Sequence, residues 1–166
     1  MDKKRLIVGI SGASGAILGI RMLEVLKPTG IETHLIVSKS ALLTITNETD
    51  YTAKDVRDLA DVTYNVTDIG AAVSSGSFRT LGMIIIPCSI RSLSEIAWGT
   101  TSSLLTRAAD VVLKERRRLV LVVRETPLHV GHLRAMTQAA EMGAVIAPFM
   151  PAFYTRPKSI ADIVDN

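Results

Sequence analysis

The run Arg5-Leu-Ile-Val-Gly-Ile10 carries no polar side chain after its first residue, and it passes directly into Ser11-Gly-Ala-Ser-Gly-Ala16. A short, wholly apolar run of this kind reads as a strand covered on both faces. The Gly/Ser stretch behind it reads as a tight strand-to-helix turn, because glycine reaches backbone conformations closed to other residues. Ala16–Leu26 then places Ile17, Ile20, Leu23 and Leu26 at helical spacing and ends before Pro28 and Gly30. A buried strand that feeds a helix through glycines is the opening of an α/β nucleotide fold.

The alternation continues along the chain. Glu32–Val37 reads as a second strand, Ser40–Thr46 and Thr52–Leu59 as short helical pieces, and Ser74-Ser-Gly-Ser77 as a loop. Gly82–Ile86 reads as a strand stopped by Pro87. Ser102–Arg116 is an amphipathic helix with Leu104, Leu105, Ala108, Val111 and Val112 inward. Leu119–Val123 is a further strand, Val130–Met142 a helix ending at Gly143, and Ala144–Ala147 a last strand. Apolar strands separated by helices predict one α/β domain over residues 1–166, a doubly wound parallel sheet without repeat or linker.

Composition narrows the class. A chain of 166 residues sustains one core and not two. The longest near-apolar stretch, Gly143–Tyr154, is broken by Pro148 and Pro151 and falls short of the roughly 18 residues of a membrane span. No small-residue cleavage site follows Met1-Asp-Lys-Lys-Arg5, so no signal peptide is expected. With 48% hydrophobic residues and a mean hydropathy of +0.31, the surplus apolar surface is expected between subunits. Cys88 is the only cysteine, which excludes an intrachain disulfide or thiolate cluster and fits a reducing, cytoplasmic compartment. Much of the net charge of +3 sits in Arg116-Arg117-Arg118, read as a solvated helix end beside the C-terminal dipole. Aromatics at 4% argue against a nucleic-acid face.

Ligands of such sheets bind beyond the carboxyl ends of the strands. Those ends carry Ser11–Ala16, Ser38-Lys39, Cys88-Ser-Ile-Arg-Ser92 and Arg124-Glu125. The spacing Gly9-x-x-Gly12-x-x-Gly15 suits a backbone that approaches an anionic or planar ligand at a helix N-terminus. A dinucleotide site would need an acid after the second strand to hold a ribose. Ser38-Lys39 stands there instead, which points to a mononucleotide.

Several charged or unusual residues have plain alternatives. Arg107, Asp110 and Lys114 share one helix face, which spacing alone reads as exposed with an Asp110–Lys114 pair. Arg124-Glu125 emerges at the sheet edge as either a surface turn or a site. His129 and His132 lack the acidic or thiolate company of a metal site. His34 within a strand reads as structural, and Cys88 as a packed small hydrophobe. Trp98 reads as core, with stacking on a flavin the alternative.

Taken jointly, the motifs are far more specific than a glycine loop. They are Gly9-Ile-Ser-Gly-Ala-Ser-Gly-Ala16, Thr33-His-Leu-Ile-Val-Ser-Lys39, Glu48-Thr-Asp50, Ser75-Gly-Ser77, Pro87-Cys-Ser89, Thr106-Arg-Ala-Ala-Asp-Val-Val-Leu-Lys-Glu-Arg-Arg117, Arg124-Glu-Thr-Pro127, His132-Leu133 and Pro151-Ala-Phe-Tyr154. Over essentially its whole length the chain resembles the UbiX-type flavin prenyltransferases.

The resemblance implies a flavodoxin-like (Rossmann-like) fold in a dodecameric, metal-independent enzyme that binds reduced FMN. It would join a dimethylallyl group from dimethylallyl monophosphate to flavin N5 and C6, making prenylated FMN for a UbiD-type decarboxylase. Carried over residue by residue, Gly12, Ala13, Ser14, Ser38, Ser89, Ile90, Arg91, Ser92 and Arg124 would bind FMN, with Ser14 near the reacting edge. Arg107, Lys114, Arg124 and Tyr154 would surround the prenyl phosphate, Glu125 would move a proton, and Glu48 would approach from an adjoining subunit. Arg107 and Lys114 would then point into an intersubunit site. A flavin-dependent decarboxylase of the peptidyl-cysteine or phosphopantothenoylcysteine type and a non-enzymatic flavin carrier are the alternatives.

Two departures accompany the resemblance. Ile69 stands where some members place a tryptophan over the prenyl group. Ser159-Ile-Ala-Asp162 reads as a capping box opening a helix that family members continue past residue 166, so a truncated C-terminal helix is expected.

Overall fold

The fold was analysed in a computed structural model that describes residues 3–166. Six strands, β1 (Arg5–Ile10), β2 (Glu32–Val37), β3 (Val62–Tyr64), β4 (Gly82–Cys88), β5 (Arg118–Val123) and β6 (Ala144–Ile146), form one sheet. All five pairings are parallel and the order is β3-β2-β1-β4-β5-β6. The doubly wound sheet expected from the apolar runs is therefore present. Its order reverses between β1 and β4, the switch point at which such sheets open a crevice for ligands.

Among the described residues seven α-helices cover it: α1 (Ala16–Leu26), α2 (Lys39–Glu48), α3 (Ala53–Asp58), α4 (Ile90–Ala97), α5 (Leu104–Lys114), α6 (Val130–Glu141) and α7 (Ile160–Asp165). Residues of α4, α5 and α6 pack with Ile7, Met83, Ile85, Leu119 and Leu121 on one face. The other face holds α1, α2 and α3, with Val8, Ile10, Leu35 and Val37 beneath and Val164 of α7 at its margin. Alternate residues of each strand serve the two cores, as the pleat requires. The inward set expected on α5 (Leu104, Leu105, Ala108, Val111 and Val112) is buried throughout.

The structure corrects several expectations. Pro87 does not stop the fourth strand, which runs through it to Cys88; the register to β5 shifts between Ile85 and Cys88, and that irregularity accommodates a residue without an N–H. Residues 90–92, expected only to follow a strand end, open helix α4, with Ser89 as its N-cap. Its apolar stripe, Leu93, Ile96 and Ala97, is short and is interrupted by Ser92, Ser94 and Glu95, which hid it. The three-residue edge strand β3 has only half-buried or exposed side chains and gave no apolar signal. Trp98 is 67% exposed beyond the end of α4, not core. Asp110 takes Arg107 at 2.8 Å instead of pairing with Lys114. Of the basic triplet, Arg117 donates to the carbonyls of Phe78 and Gly76 at 2.7 Å each and Arg118 opens β5, so only Arg116 stands exposed just past the end of α5, whose C-cap is Glu115.

His34 is structural, as its place in β2 suggested. It is buried between Tyr64 and Phe78, with the Tyr64 hydroxyl 2.9 Å from Nδ1 and the Glu32 carboxylate 3.0 Å from Nε2. His129 is the N-cap of α6, and its ring accepts from Gly131 and His132 N–H. Among the described residues no helix is long and apolar enough to cross a membrane.

Candidate active site

The switch-point crevice is a cavity of about 770 Å³ beside the carboxyl ends of β1, β2 and β4. Three helices begin at it. Ser38 caps α2 by accepting from Ala41 N–H at 3.1 Å, Ser89 caps α4 by accepting from Ser92 N–H at 3.2 Å, and Ser103 caps α5. Each hydroxyl satisfies one backbone donor, which leaves other first-turn N–H groups facing the crevice. Three positive helix ends converging on one cavity favour an anionic ligand.

Ser11 ties the crevice together. Buried at the end of β1, its hydroxyl donates to Pro87 O at 2.9 Å and accepts from Ser89 N–H at 2.7 Å, fixing the glycine loop against the start of α4. A Cβ on Gly12 would collide with the side chain of Ser40, so the loop passes α2 at a distance only glycine permits. Gly15 turns the chain into α1 with φ 101°, in the left-handed region.

Of the residues expected to bind cofactor, Gly12, Ser38, Ser89, Arg91 and Ser92 line this cavity. Ala13 and Ile90 flank it in sequence, Ala13 buried and Ile90 half-buried. Ser14 and Arg124 lie to one side, where both act on Glu48. That carboxylate accepts from the N–H groups of Gly15 at 2.8 Å and Ala16 at 3.2 Å, both through Oε2. Burial pushes the Glu48 carboxyl up, but the Gly15 N–H, the Ser14 hydroxyl, the Ala16 N–H and the Arg124 charge outweigh it and hold it below the usual range. Glu48 therefore reaches the loop of its own chain. Arg124 is held at the end of β5, its N–H donating to Cys88 O at 3.1 Å.

The remaining residues are more dispersed. Glu125 is exposed, with its carboxylate accepting from Thr126 N–H at 3.0 Å. Tyr154 is 89% exposed on the turn Phe153–Thr155. Arg107 lies one residue past Thr106, the last cavity-lining residue of α5, and is half-buried against Asp110. Lys114, at the far end of α5, pairs with Glu115 near Gly76, on the edge where the strands begin. A single chain does not bring Lys114 to the crevice.

Other residues line the cavity that the strand-end survey did not assign. Ser40 and Thr67 belong to its wall beside Lys39, which the survey did name at a strand end, as do Glu95, Ser102, Ser103 and Thr106; Leu43, Val66 and Ile69 make an apolar side. Glu95 had one legible signal, its i, i+4 spacing from Arg91. Thr106 had none beyond being a polar residue on the inner face of α5.

This donor set fits FMN. The volume lies within the roughly 300–1,000 Å³ of pockets that enclose small organic ligands. Hydroxyls, helix N-termini and the cations Lys39 and Arg91 suit a phosphate, and the apolar side suits a ring system. Cys88 is fully buried and its thiol is pushed up to about 12 by that burial, which removes it as a nucleophile.

Comparison with known proteins agrees. The family model described as "Flavoprotein" matches residues 1–165. The flavin prenyltransferase UbiX of Escherichia coli K12 is 64% identical over 164 residues, covering 98% of this chain and 87% of its own length. The crystal structure of AnUbiX (PadA1) in complex with FMN and dimethylallyl pyrophosphate superimposes with a TM-score of 0.97 at 52% identity, covering 98% of this chain and 87% of that one. A dodecameric FMN-dependent UbiX-like decarboxylase from E. coli O157:H7 gives a TM-score of 0.95 at 52% identity, covering 96% and 88%. The loop, the crevice and these matches converge, and the chain belongs to the flavoprotein family, among the UbiX-type flavin prenyltransferases.

Proposed function

We propose that this chain is a flavin prenyltransferase that binds reduced FMN in the switch-point crevice and joins to its N5 and C6 a dimethylallyl group from dimethylallyl monophosphate. The observation that carries the reading is the cavity itself, where three helix N-termini, a hydroxyl-rich wall and an apolar side meet. Bound there, reduced FMN supplies the nucleophilic ring that accepts the prenyl group.

The chain's own residues have separable tasks. Ser38, Ser89, Ser92 and the N–H groups behind them hold an anionic group, and Gly12 lets the backbone lie close to the ligand. Loss of phosphate from an allylic carbon develops negative charge on the leaving oxygen, which fixed cations stabilise best when already in place. Arg124, anchored by its backbone to Cys88 and facing Glu48, is such a cation. Glu125, next to it and exposed, serves as the proton-transfer group. Glu48 keeps the loop that bears Ser14 in place. Arg107, Lys114 and Tyr154 complete the prenyl-phosphate site from neighbouring subunits of a dodecamer. The product passes to a UbiD-type decarboxylase in the cytoplasm. Residues 1–166 act as one flavoprotein domain.

Incubation of the protein with reduced FMN and dimethylallyl monophosphate, with the pyrophosphate in parallel, should yield a flavin adduct heavier by one prenyl unit. No such mass from either donor would refute the reading. Glu125→Gln should slow adduct formation while FMN stays bound; loss of FMN instead would contradict the role given to Glu125. A cysteine-decarboxylase activity would show as carbon dioxide released from a C-terminal cysteine peptide without prenyl donor.

A further inference from the structure

Glu95 is the one carboxylate among the residues lining the flavin cavity, which is a strange place for an acid beside an anionic ligand. Its side chain is 15% exposed and both of its oxygens are engaged. Oε1 accepts from Arg91 Nε at 3.0 Å, one turn back on α4. Oε2 accepts from the Ser102 hydroxyl at 2.6 Å, across the cavity mouth on the segment leading into α5. Burial pushes its carboxyl up, but the hydrogen bonds from Ser102, Arg91 and Thr106 more than offset this and keep it ionised. The Glu95 charge is thus offset by a cation and two hydroxyls rather than presented bare to a ligand.

The Arg91 end of this contact is informative. Glu95 takes only Nε, the inner edge of the guanidinium, and leaves the two terminal nitrogens and their four N–H donors outward. The Arg91 side chain is 83% exposed, so nothing else in the chain restrains it. A long side chain with that freedom loses considerable rotamer entropy on closing over a ligand. One ion pair on its inner edge removes most of that cost before the ligand arrives.

We propose that Glu95 is a positioning residue, resting on the flavin reading above: through Nε it aims the Arg91 guanidinium at the ligand's phosphate, and through Ser102 it fixes the opposite wall. It touches neither the flavin ring nor the prenyl donor, so its effect falls on phosphate recognition.

FMN and riboflavin share a ring and differ in the phosphate, and titration of both, followed by flavin fluorescence, separates the possibilities. Removing a negative charge would by itself favour an anion, so the titrations are run near 1 M salt, where the Debye length is about 3 Å and that gain is screened. Glu95→Ala should weaken FMN about tenfold, the cost of leaving one arginine free to wander, with riboflavin changed less than twofold. Arg91→Ala should weaken FMN by a similar factor, and adding Glu95→Ala to it should have little further effect. Ser102→Ala, which frees only one oxygen of Glu95 and alters no charge, should cause a smaller loss of the same FMN-selective kind. Equal weakening of FMN and riboflavin would make Glu95 a general part of the cavity wall and overturn the proposal. So would unchanged FMN affinity, or a full tenfold effect persisting without Arg91. Failure of the unaltered protein to bind FMN at all would overturn the flavin reading itself, and this inference with it.

Discussion

The carboxylate of Glu48 sits on the N-terminus of α1, and its replacement can be worked through in detail. Both N–H groups it receives, from Gly15 and Ala16, go to the same oxygen. Glu48→Gln can therefore offer an amide oxygen in that position and keep both hydrogen bonds, losing only the charge. A carboxylate at an exposed helix N-terminus contributes about 0.3–1 kcal/mol, and Glu48 is exposed, so the loss is about 1 kcal/mol at most. Glu48→Ala loses the two hydrogen bonds as well, at ~1 kcal/mol each less whatever water restores, for ~2 kcal/mol in all. In a chain of this length 1 kcal/mol moves the melting temperature by about 2–4 °C. Thermal melts at pH 7 and one fixed protein concentration should thus rank wild type above Gln, and Gln above Ala by a similar step again. The charge contribution also has a pH signature. The folded-state carboxyl is held below its ordinary value of 4.5, so the stabilisation is fully present above that pH and is lost as pH falls through the folded-state value. The gap between wild type and Gln should close in acid, whereas the gap between Gln and Ala should persist. A wild-type-to-Gln gap that stays constant down to pH 3, or equal melting of Gln and Ala at pH 7, would refute the assignment of Glu48 as the cap of α1.

Three further outcomes follow from features already described. Gly12→Ala drives a methyl group into Ser40; relief of such overpacking costs about 1–3 kcal/mol, and flavin titration should show FMN affinity reduced tenfold or more. Cys88 should resist aromatic disulfide reagents at pH 8 in the folded protein and react at once in denaturant, because burial pushes its thiol up to about 12; rapid labelling under native conditions would contradict its packed role. His34→Ala removes a buried ring wedged between Tyr64 and Phe78 and orphans the Tyr64 hydroxyl, so urea or thermal unfolding should show a loss of roughly 2–4 kcal/mol without change in flavin affinity, since the site lies at the other edge of the sheet.

Much of the fold was legible because apolar runs and glycine punctuation are local signals. Arg5–Ile10, Ala16–Leu26 and Glu32–Val37 are bounded by residues that end an element for a stated reason, and their bounds match the structure residue for residue. The misses share a cause too. Helix α4 turns Arg91, Ser92 and Glu95 to the cavity, so polar residues interrupt its short apolar stripe where it does its work. Pro87 punctuates a strand in most settings, but here the register shift lets β4 continue past it. Of the site, the strand-end residues were legible from topology alone. Glu95 and Thr106 were not, because they reach the cavity from the sides of helices, and the side they present depends on where α4 and α5 settle on the sheet. The family resemblance supplied Arg107, Lys114 and Tyr154, which nothing in one chain's packing gathers together.

The course of helix α5 has a genetic consequence. It starts at the crevice with Ser103 and Thr106 and ends with Lys114 about 12 Å further along its axis, at the opposite edge of the sheet. A rod of that kind cannot bend back, so whatever Lys114 contributes to the proposed reaction it contributes to another chain's crevice. A chain altered at Lys114 and a chain altered at Glu125 would each be defective alone. Assembled together, they would rebuild some intact centres from the sound half of each. On the proposed role of Lys114, complementation between two inactive alleles follows from the direction of one helix.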